Sequence, residues 1–379
     1  MNDDRRAARS GARPPRIRSG ELPRVLVTGG AGFVGVNVAK RLLDDAVCVR
    51  VLDSLARPGS EHNIHWLGAH YAGQFDFVRG DLRDPEVVRE AIAGVEHVVH
   101  LGAQVSATAS LSDPLDDFDT NVRGTLNVLE AVRLAPRPPS LVHASTSEVY
   151  GPLLDLEVRA AARRYEPVNA RVRARGIPET RPLDGHGPLG CSKVAAEQYV
   201  RDYARSYGLR TTVLRIGCTY GPHECGDVDH GGVAPLVRSV LAGRPVAIRG
   251  DGLQVRDFLY VDDLVEALEQ ARRHADVLRG RAFNVGGGVD NALGVLDLLD
   301  HVARLTGRCP EPVFGRARAG GRRYYVTDFA AFGAATGWQP RTRVADGLER
   351  LHEWLESEEP GLGWRDPRIA GLPGHARAQ

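Results

Sequence analysis

The chain has 379 residues, 42% hydrophobic and 26% charged, ordinary globular material that is long enough for a large domain with a second lobe and too apolar for wholesale disorder. Its 49 basic and 48 acidic residues leave a net charge of +1, so there is no field for a polyanion and nucleic acid is set aside as a partner. No apolar run approaches the roughly 20 residues of a spanning helix and the N-terminus lacks an apolar signal core, so no membrane partner is expected and the cytoplasm is the expected compartment.

Residues 1–23, rich in Arg, Pro and Gly, read as a disordered arm. From Arg24 short β-branched runs alternate with helical stretches: strand Val25 to Thr28, helix Phe33 to Leu43, then strands at Val47 to Leu52 and Phe75 to Val78. The rhythm continues with a helix over Glu86 to Ala93, the apolar run Val95 to Leu101, and an amphipathic stretch carrying Leu115, Phe118, Val122, Leu126 and Leu129. A strand at Leu141 to Ala144 follows. Apolar strands separated by helices predict an α/β fold, a doubly wound parallel sheet of the Rossmann type. Residues 152–187 break the pattern with four prolines and many arginines and read as a surface insert. Helical periodicity resumes from about Leu189 to Tyr203, with a strand at Thr211 to Ile216. The expected division is a Rossmann domain over 24–215 and a smaller, mainly substrate-binding α/β lobe over 216–358, with helices at Ala234 to Leu241, Val261 to Ala271 and Leu293 to Leu305; residues 359–379 form a tail.

Two compositional features bear on the chemistry. Five scattered cysteines, with no C-x-x-C pair, read as free thiols. Only Lys40 and Lys193 are lysines, so a position that keeps lysine in this arginine-biased chain points to an amine that can share or shed a proton.

Gly29-Gly30-Ala31-Gly32-Phe33-Val34-Gly35 follows a strand and opens a helix. Gly30, Gly32 and Gly35 are expected to give the tight turn its positive-φ freedom, let the backbone approach a pyrophosphate, and pack helix on strand. Asp53 ends the next strand, where a carboxylate accepts from the adenosine ribose hydroxyls and repels a 2′-phosphate, so NAD is expected rather than NADP despite Arg57 nearby. Asp81-Leu82 and Leu101-Gly102-Ala103-Gln104 stand at later strand ends, where a dinucleotide lies in such sheets.

With Thr28 to Gly35, Gly80-Asp81-Leu82, Ser145-Thr146-Ser147-Glu148-Val149-Tyr150-Gly151 and Arg256-Asp257-Phe258-Leu259-Tyr260-Val261-Asp262-Asp263 in that order, the chain resembles the extended short-chain dehydrogenase/reductase family, the nucleotide-sugar epimerases and dehydratases. The resemblance covers about residues 24–355. It implies tightly held NAD, a nucleoside-diphosphate sugar as partner, transient hydride removal at a sugar carbon, and a homodimer. It also implies that Thr146 bonds the sugar hydroxyl, that Ser145 lies against the cofactor, and that Lys193 is the lysine of a Tyr-x-x-x-Lys pair, which holds the nicotinamide ribose and lowers the tyrosine pKa.

Four residues before Lys193, where that tyrosine would stand, the chain has Leu189. Leucine neither accepts nor donates a proton. The small-residue run Gly190-Cys191-Ser192-Lys193 fixes the register, so the base is replaced or the chain is a catalytically silent binding protein. Glu148 leads the replacements, because an acidic residue there marks the family's dehydratases and decarboxylases; Cys191, Cys218 and His186 follow, and Tyr165 in the insert is a further candidate. Cys218 stands where relatives carry a substrate-contacting asparagine. Arg256, with Arg322 or Arg323, matches the arginines that hold the diphosphate, a role suited to guanidinium forks. The run His223-Glu224-Cys225-Gly226-Asp227-Val228-Asp229-His230 holds ligand-type residues, but the family's redox chemistry needs no metal and none is expected. The expected activity is an NAD-dependent epimerase with a substituted proton-transfer residue, with a 4,6-dehydratase or decarboxylase using Glu148 as the alternative.

Overall fold

A computed structural model describes residues 24–225, 232–317 and 320–357. Fifteen strands follow in chain order: β1 (Val25–Thr28), β2 (Val49–Asp53), β3 (Phe75–Arg79), β4 (His97–His100), β5 (Ser140–Thr146), β6 (Val158–Ala160), β7 (Tyr165–Pro167), β8 (Thr211–Ile216), β9 (Cys218–Tyr220), β10 (Val246–Arg249), β11 (Val255–Tyr260), β12 (Ala282–Val285), β13 (Ala292–Gly294), β14 (Pro312–Gly315) and β15 (Tyr324–Tyr325). Seven form one sheet in the order β12-β8-β5-β4-β1-β2-β3, every neighbouring pair parallel. This is the expected Rossmann sheet. Its inner strands bury both faces, which is why they read as nearly unbroken apolar runs, as in the fully buried Val-Leu-Val-Thr of β1.

One face of the sheet packs on the helices Phe33–Asp44 and Val261–Arg273, and the other on Pro85–Ile92, Gly124–Leu134 and Gly187–Ser206. Late in the chain, β12 returns to pair with β8 at the sheet edge. The second lobe centres on β11, which pairs with β9, β13 and β15 and shares an apolar core with the helices Val233–Leu241, Val295–Thr306 and Val344–Ser357.

The insert is a short hairpin, β6 with β7, followed by the helix Ala170–Arg175. It crosses to the second lobe: Tyr165 N–H donates to Leu253 O at 2.8 Å, the Arg163 guanidinium meets Asp297 at 3.0 Å, and Ile177 bridges Thr327. It is a strap between lobes. Tyr165 donates its hydroxyl to Asp251 on that lobe's surface.

The amphipathic stretch after β4 is also corrected. It is not one helix but Pro114–Phe118, a π-type turn over Asp119–Arg123, and Gly124–Leu134; Val122 and Leu129 are buried while Leu115 and Phe118 are exposed. The apolar period ran on across a change of face.

Candidate active site

The glycine turn joins β1 to the helix Phe33–Asp44. Positive φ falls on Gly29 (+67°) and not on Gly30 or Gly32, which corrects the expected division of labour. A Cβ on Gly29 would stand 2.7 Å from Gly102 Cα, and one on Gly35 only 2.2 Å from Gly29 O, so both positions are closed to any side chain. Gly35→Ala is expected to push the helix off the turn and cut NAD retention at least about tenfold, the cost of a lost close approach; the NAD released on denaturing equal amounts of the two proteins measures it.

The first N–H groups of a helix lack intrahelical partners, and here the N-cap Gly32 offers no side chain to them. That is an open anion seat. At the end of β2 the Asp53 carboxylate accepts from Ala31 N–H at 3.0 Å and Leu55 N–H at 2.8 Å, which fixes it beside the turn, and burial raises its pKa. A cradle that admits no Cβ, an uncapped helix start and a fixed carboxylate together fit NAD. Leu82 is buried against Gly102, whereas Asp81 is held below the usual carboxylate range by the Arg83 guanidinium at 2.6 Å.

Sequence reasoning missed Asn121, in the π-type turn. Its amide oxygen accepts from Gln104 N–H at 2.9 Å and its NH2 donates to Gln104 O at 3.0 Å and to the Ser192 hydroxyl at 3.0 Å. It thereby ties the Leu101–Ala103–Gln104 loop to the residue before Lys193. Only the local widening of the helix aims it there, and no sequence period reports such a widening.

Leu189 and Lys193 lie one turn apart on the helix Gly187–Ser206, both buried. Lys193 donates to Ala144 O in β5 at 3.2 Å, and burial lowers its pKa to about 8. It does not pair with Glu197. That carboxylate is claimed by Arg215, a buried ion pair with 3.0 Å between Nε and Oε2, and by the Ser145 hydroxyl at 3.2 Å. The Ser145 hydroxyl is therefore engaged by this ion pair, where the sequence led us to expect a cofactor contact. Arg215 also donates to the Tyr150 hydroxyl at 2.8 Å, which in turn donates to Asn284 at 2.7 Å.

Thr146 ends β5 and its hydroxyl accepts from Glu148 N–H at 3.2 Å. The Glu148 carboxylate, the expected acid–base group, is engaged by Arg322, which also donates to Ser147 O at 2.8 Å. Arg322 is 4% exposed and Arg323 is exposed over the Tyr165 ring, so the structure places Arg322 in the site and Arg323 outside it. Arg256, on β11, donates to Arg322 O at 2.9 Å, and burial beside the Arg322 charge lowers its pKa to about 10. Cys218, on β9, lies in the same charged cluster and burial pushes its thiol up to about 12, so it stays protonated. Cys191 is exposed and donates to Gly185 O at 3.3 Å, away from Lys193. His186 is exposed against Gly320.

Of the ligand-type loop, residues 226–231 lie outside the described residues. The His223 ring packs against Trp66 and Trp354, and Glu224, raised to about 7 by burial, accepts from Ala234 N–H at 3.0 Å. Among the described residues no group of three or more metal-ligating side chains occurs. Among them, too, no helix is long and apolar enough to cross a membrane.

A model of the NAD dependent epimerase/dehydratase family matches residues 25–286. The chain belongs to that family. It is similar to CDP-paratose 2-epimerase of Salmonella typhi, 35% identical with 88% of this chain and 99% of the relative covered. It is 32% identical to dTDP-glucose 4,6-dehydratase of Mycolicibacterium smegmatis, over 89% of this chain and 94% of that one. Among solved structures it resembles the Thermus thermophilus UDP-glucose 4-epimerase complex with NAD, at TM-score 0.73 and 32% identity over 89% of this chain and 100% of that one. This family member is thus an NAD-dependent enzyme of the epimerase and dehydratase class, with a leucine at the position discussed above.

Proposed function

We propose that the chain is a nucleoside-diphosphate-sugar epimerase. The glycine turn and Asp53 would hold NAD, which when bound would supply an acceptor for the hydride of a sugar carbon and allow its return to the opposite face. The observation that carries this reading is the pair of half-buried Arg256 and buried Arg322: two guanidiniums share one largely desolvated place, and among the described residues Glu148 is the one carboxylate paired with either. Like charges so placed repel unless an anion joins them, and a diphosphate offers oxygens to both forks. Thr146, two residues before Glu148, would then bond the sugar hydroxyl. Relatives named as epimerases of CDP- and UDP-sugars support the class.

On this reading Glu148 stays a counter-ion of Arg322 and shares that guanidinium with the incoming diphosphate. A dehydratase or decarboxylase needs that carboxylate free beside the sugar, and its engagement by Arg322 favours the epimerase. Glu148→Gln is accordingly expected to keep turnover and to bind UDP more tightly, since the amide no longer competes for Arg322. Turnover of UDP-glucose, dTDP-glucose and CDP-glucose, followed by chromatography of the product sugars, checks it. A fall of about 10²–10⁴-fold, or a 4-keto-6-deoxy product, would give the proton transfer back to Glu148.

The family's homodimer is proposed here too. The helices Ala107–Ser112 and Pro114–Phe118 pack on Gly187–Ser206, and this flank exposes Leu111, Leu115, Phe118 and Tyr199, an apolar face suited to a second copy.

A further inference from the structure

We propose that Lys193 is itself the proton acceptor of this chain, its amine taking the sugar hydroxyl proton in the absence of a tyrosine at position 189. This rests on the epimerase reading above. The first support is Leu189, a buried leucine at the position where a tyrosine would stand, which can neither take nor give a proton. It leaves an inert group one helical turn from the amine.

The second support is that the other candidates are committed. Glu148 is held by Arg322, the Cys191 thiol by Gly185 O and the Tyr165 hydroxyl by Asp251, burial keeps the Cys218 thiol protonated, and His186 is exposed. The third is the setting of Lys193, which is 5% exposed with Ala144 O at 3.2 Å as its hydrogen-bond acceptor and no carboxylate within ion-pair distance. Glu197, on its own helix, is taken by Arg215; Asp117, on the neighbouring helix, accepts from Asn121 at 3.2 Å through one oxygen, keeps the other buried without a partner, and its charge favours the ammonium form of Lys193. From β4 and β5 it is faced by His100 and His143, whose rings lie 5.2 Å apart and which burial keeps neutral, His100 with a pKa of about 3. Both ring nitrogens of His143 are buried without a partner, and the desolvation of Lys193 outweighs the pull of Asp117, so the ammonium ion is disfavoured.

The step balances. The hydroxyl O–H bond breaks and its proton forms an N–H bond at Nζ; the carbon's hydride, with its electron pair, goes to NAD; a carbonyl remains. Return of proton and hydride reverses each change. The amine must be neutral to act, so with a pKa near 8 its active fraction falls tenfold per unit as pH drops below 8.

The presence of only two lysines makes the test direct. In full-length NAD-bound protein labelled with 15Nζ-lysine, Lys40→Arg removes one of the two side-chain signals; Lys40 is an exposed residue paired with Asp44. The remaining signal is expected to titrate near pH 8, and titration above pH 10 overturns the proposal. Lys193→Arg keeps a donor for Ala144 O but stays protonated and so cannot accept a proton. It is expected to retain NAD and to lose about 10²–10⁴-fold of the absorbance rise at 340 nm on mixing with UDP-glucose, dTDP-glucose or CDP-glucose. A variant that keeps a tenth of the wild-type rise also overturns the proposal. If the wild type gives no rise with any of the three, the epimerase reading falls with this step, whereas a failed titration or an active Lys193→Arg removes the step alone.

Discussion

Replacing Glu197 with alanine is expected to destabilise the fold by about 3–5 kcal/mol, the cost of leaving one partner of a buried ion pair uncompensated. Arg215 and Glu197 are 4% and 0% exposed at their side chains, so water cannot take over the lost partner. The damage would spread, because the Ser145 hydroxyl donates to Glu197 and Arg215 donates to the Tyr150 hydroxyl. Urea denaturation monitored by circular dichroism measures it, and a loss under about 1 kcal/mol would show that solvent reaches Arg215. Glu197→Ala with Arg215→Met should recover part of the loss, since apolar replacement of both partners removes the stranded charge.

Arg322→Ala is the second large effect, this one on binding. Arg322 is expected to give charge-assisted hydrogen bonds to the diphosphate, each worth about 1.5–3 kcal/mol, so UDP affinity measured by calorimetry should fall between about tenfold and 150-fold. Arg323→Ala, which removes an exposed guanidinium over Tyr165, should change it less than about twofold. Equal losses for both would dissolve the assignment of Arg322 to the phosphate end. In wild type, Arg322 also packs 4.7 Å over the Tyr325 ring, which holds the guanidinium in place before any ligand arrives.

What the sequence made legible was the part whose physics is local. The glycine turn with its strand, helix and carboxylate is written within residues 25–53, and the alternation of apolar runs and helical periods yielded the parallel sheet. Reading a role for each glycine went less well. A period cannot show which one takes positive φ, and the turn places that at Gly29. The proton chemistry was least legible because it depends on who claims whom across the fold. Glu148 meets an arginine 174 positions away, Ser145 turns to Glu197, and Asn121 is aimed by a widened helical turn. A motif names residue types but not the partners that occupy them.

The strap of residues 152–187 bears on how a keto sugar would be handled. Tyr165, Arg163 and Ile177 fasten the Rossmann sheet's insert to the second lobe through backbone, ionic and bridge contacts at three separate places. Fastenings at three places resist separation of the lobes, so a ligand between them would turn over within walls that move little. An oxidised sugar that must present its opposite face before the hydride returns would pivot about its anchored diphosphate, with its escape slowed by the same fastening that shapes the cleft.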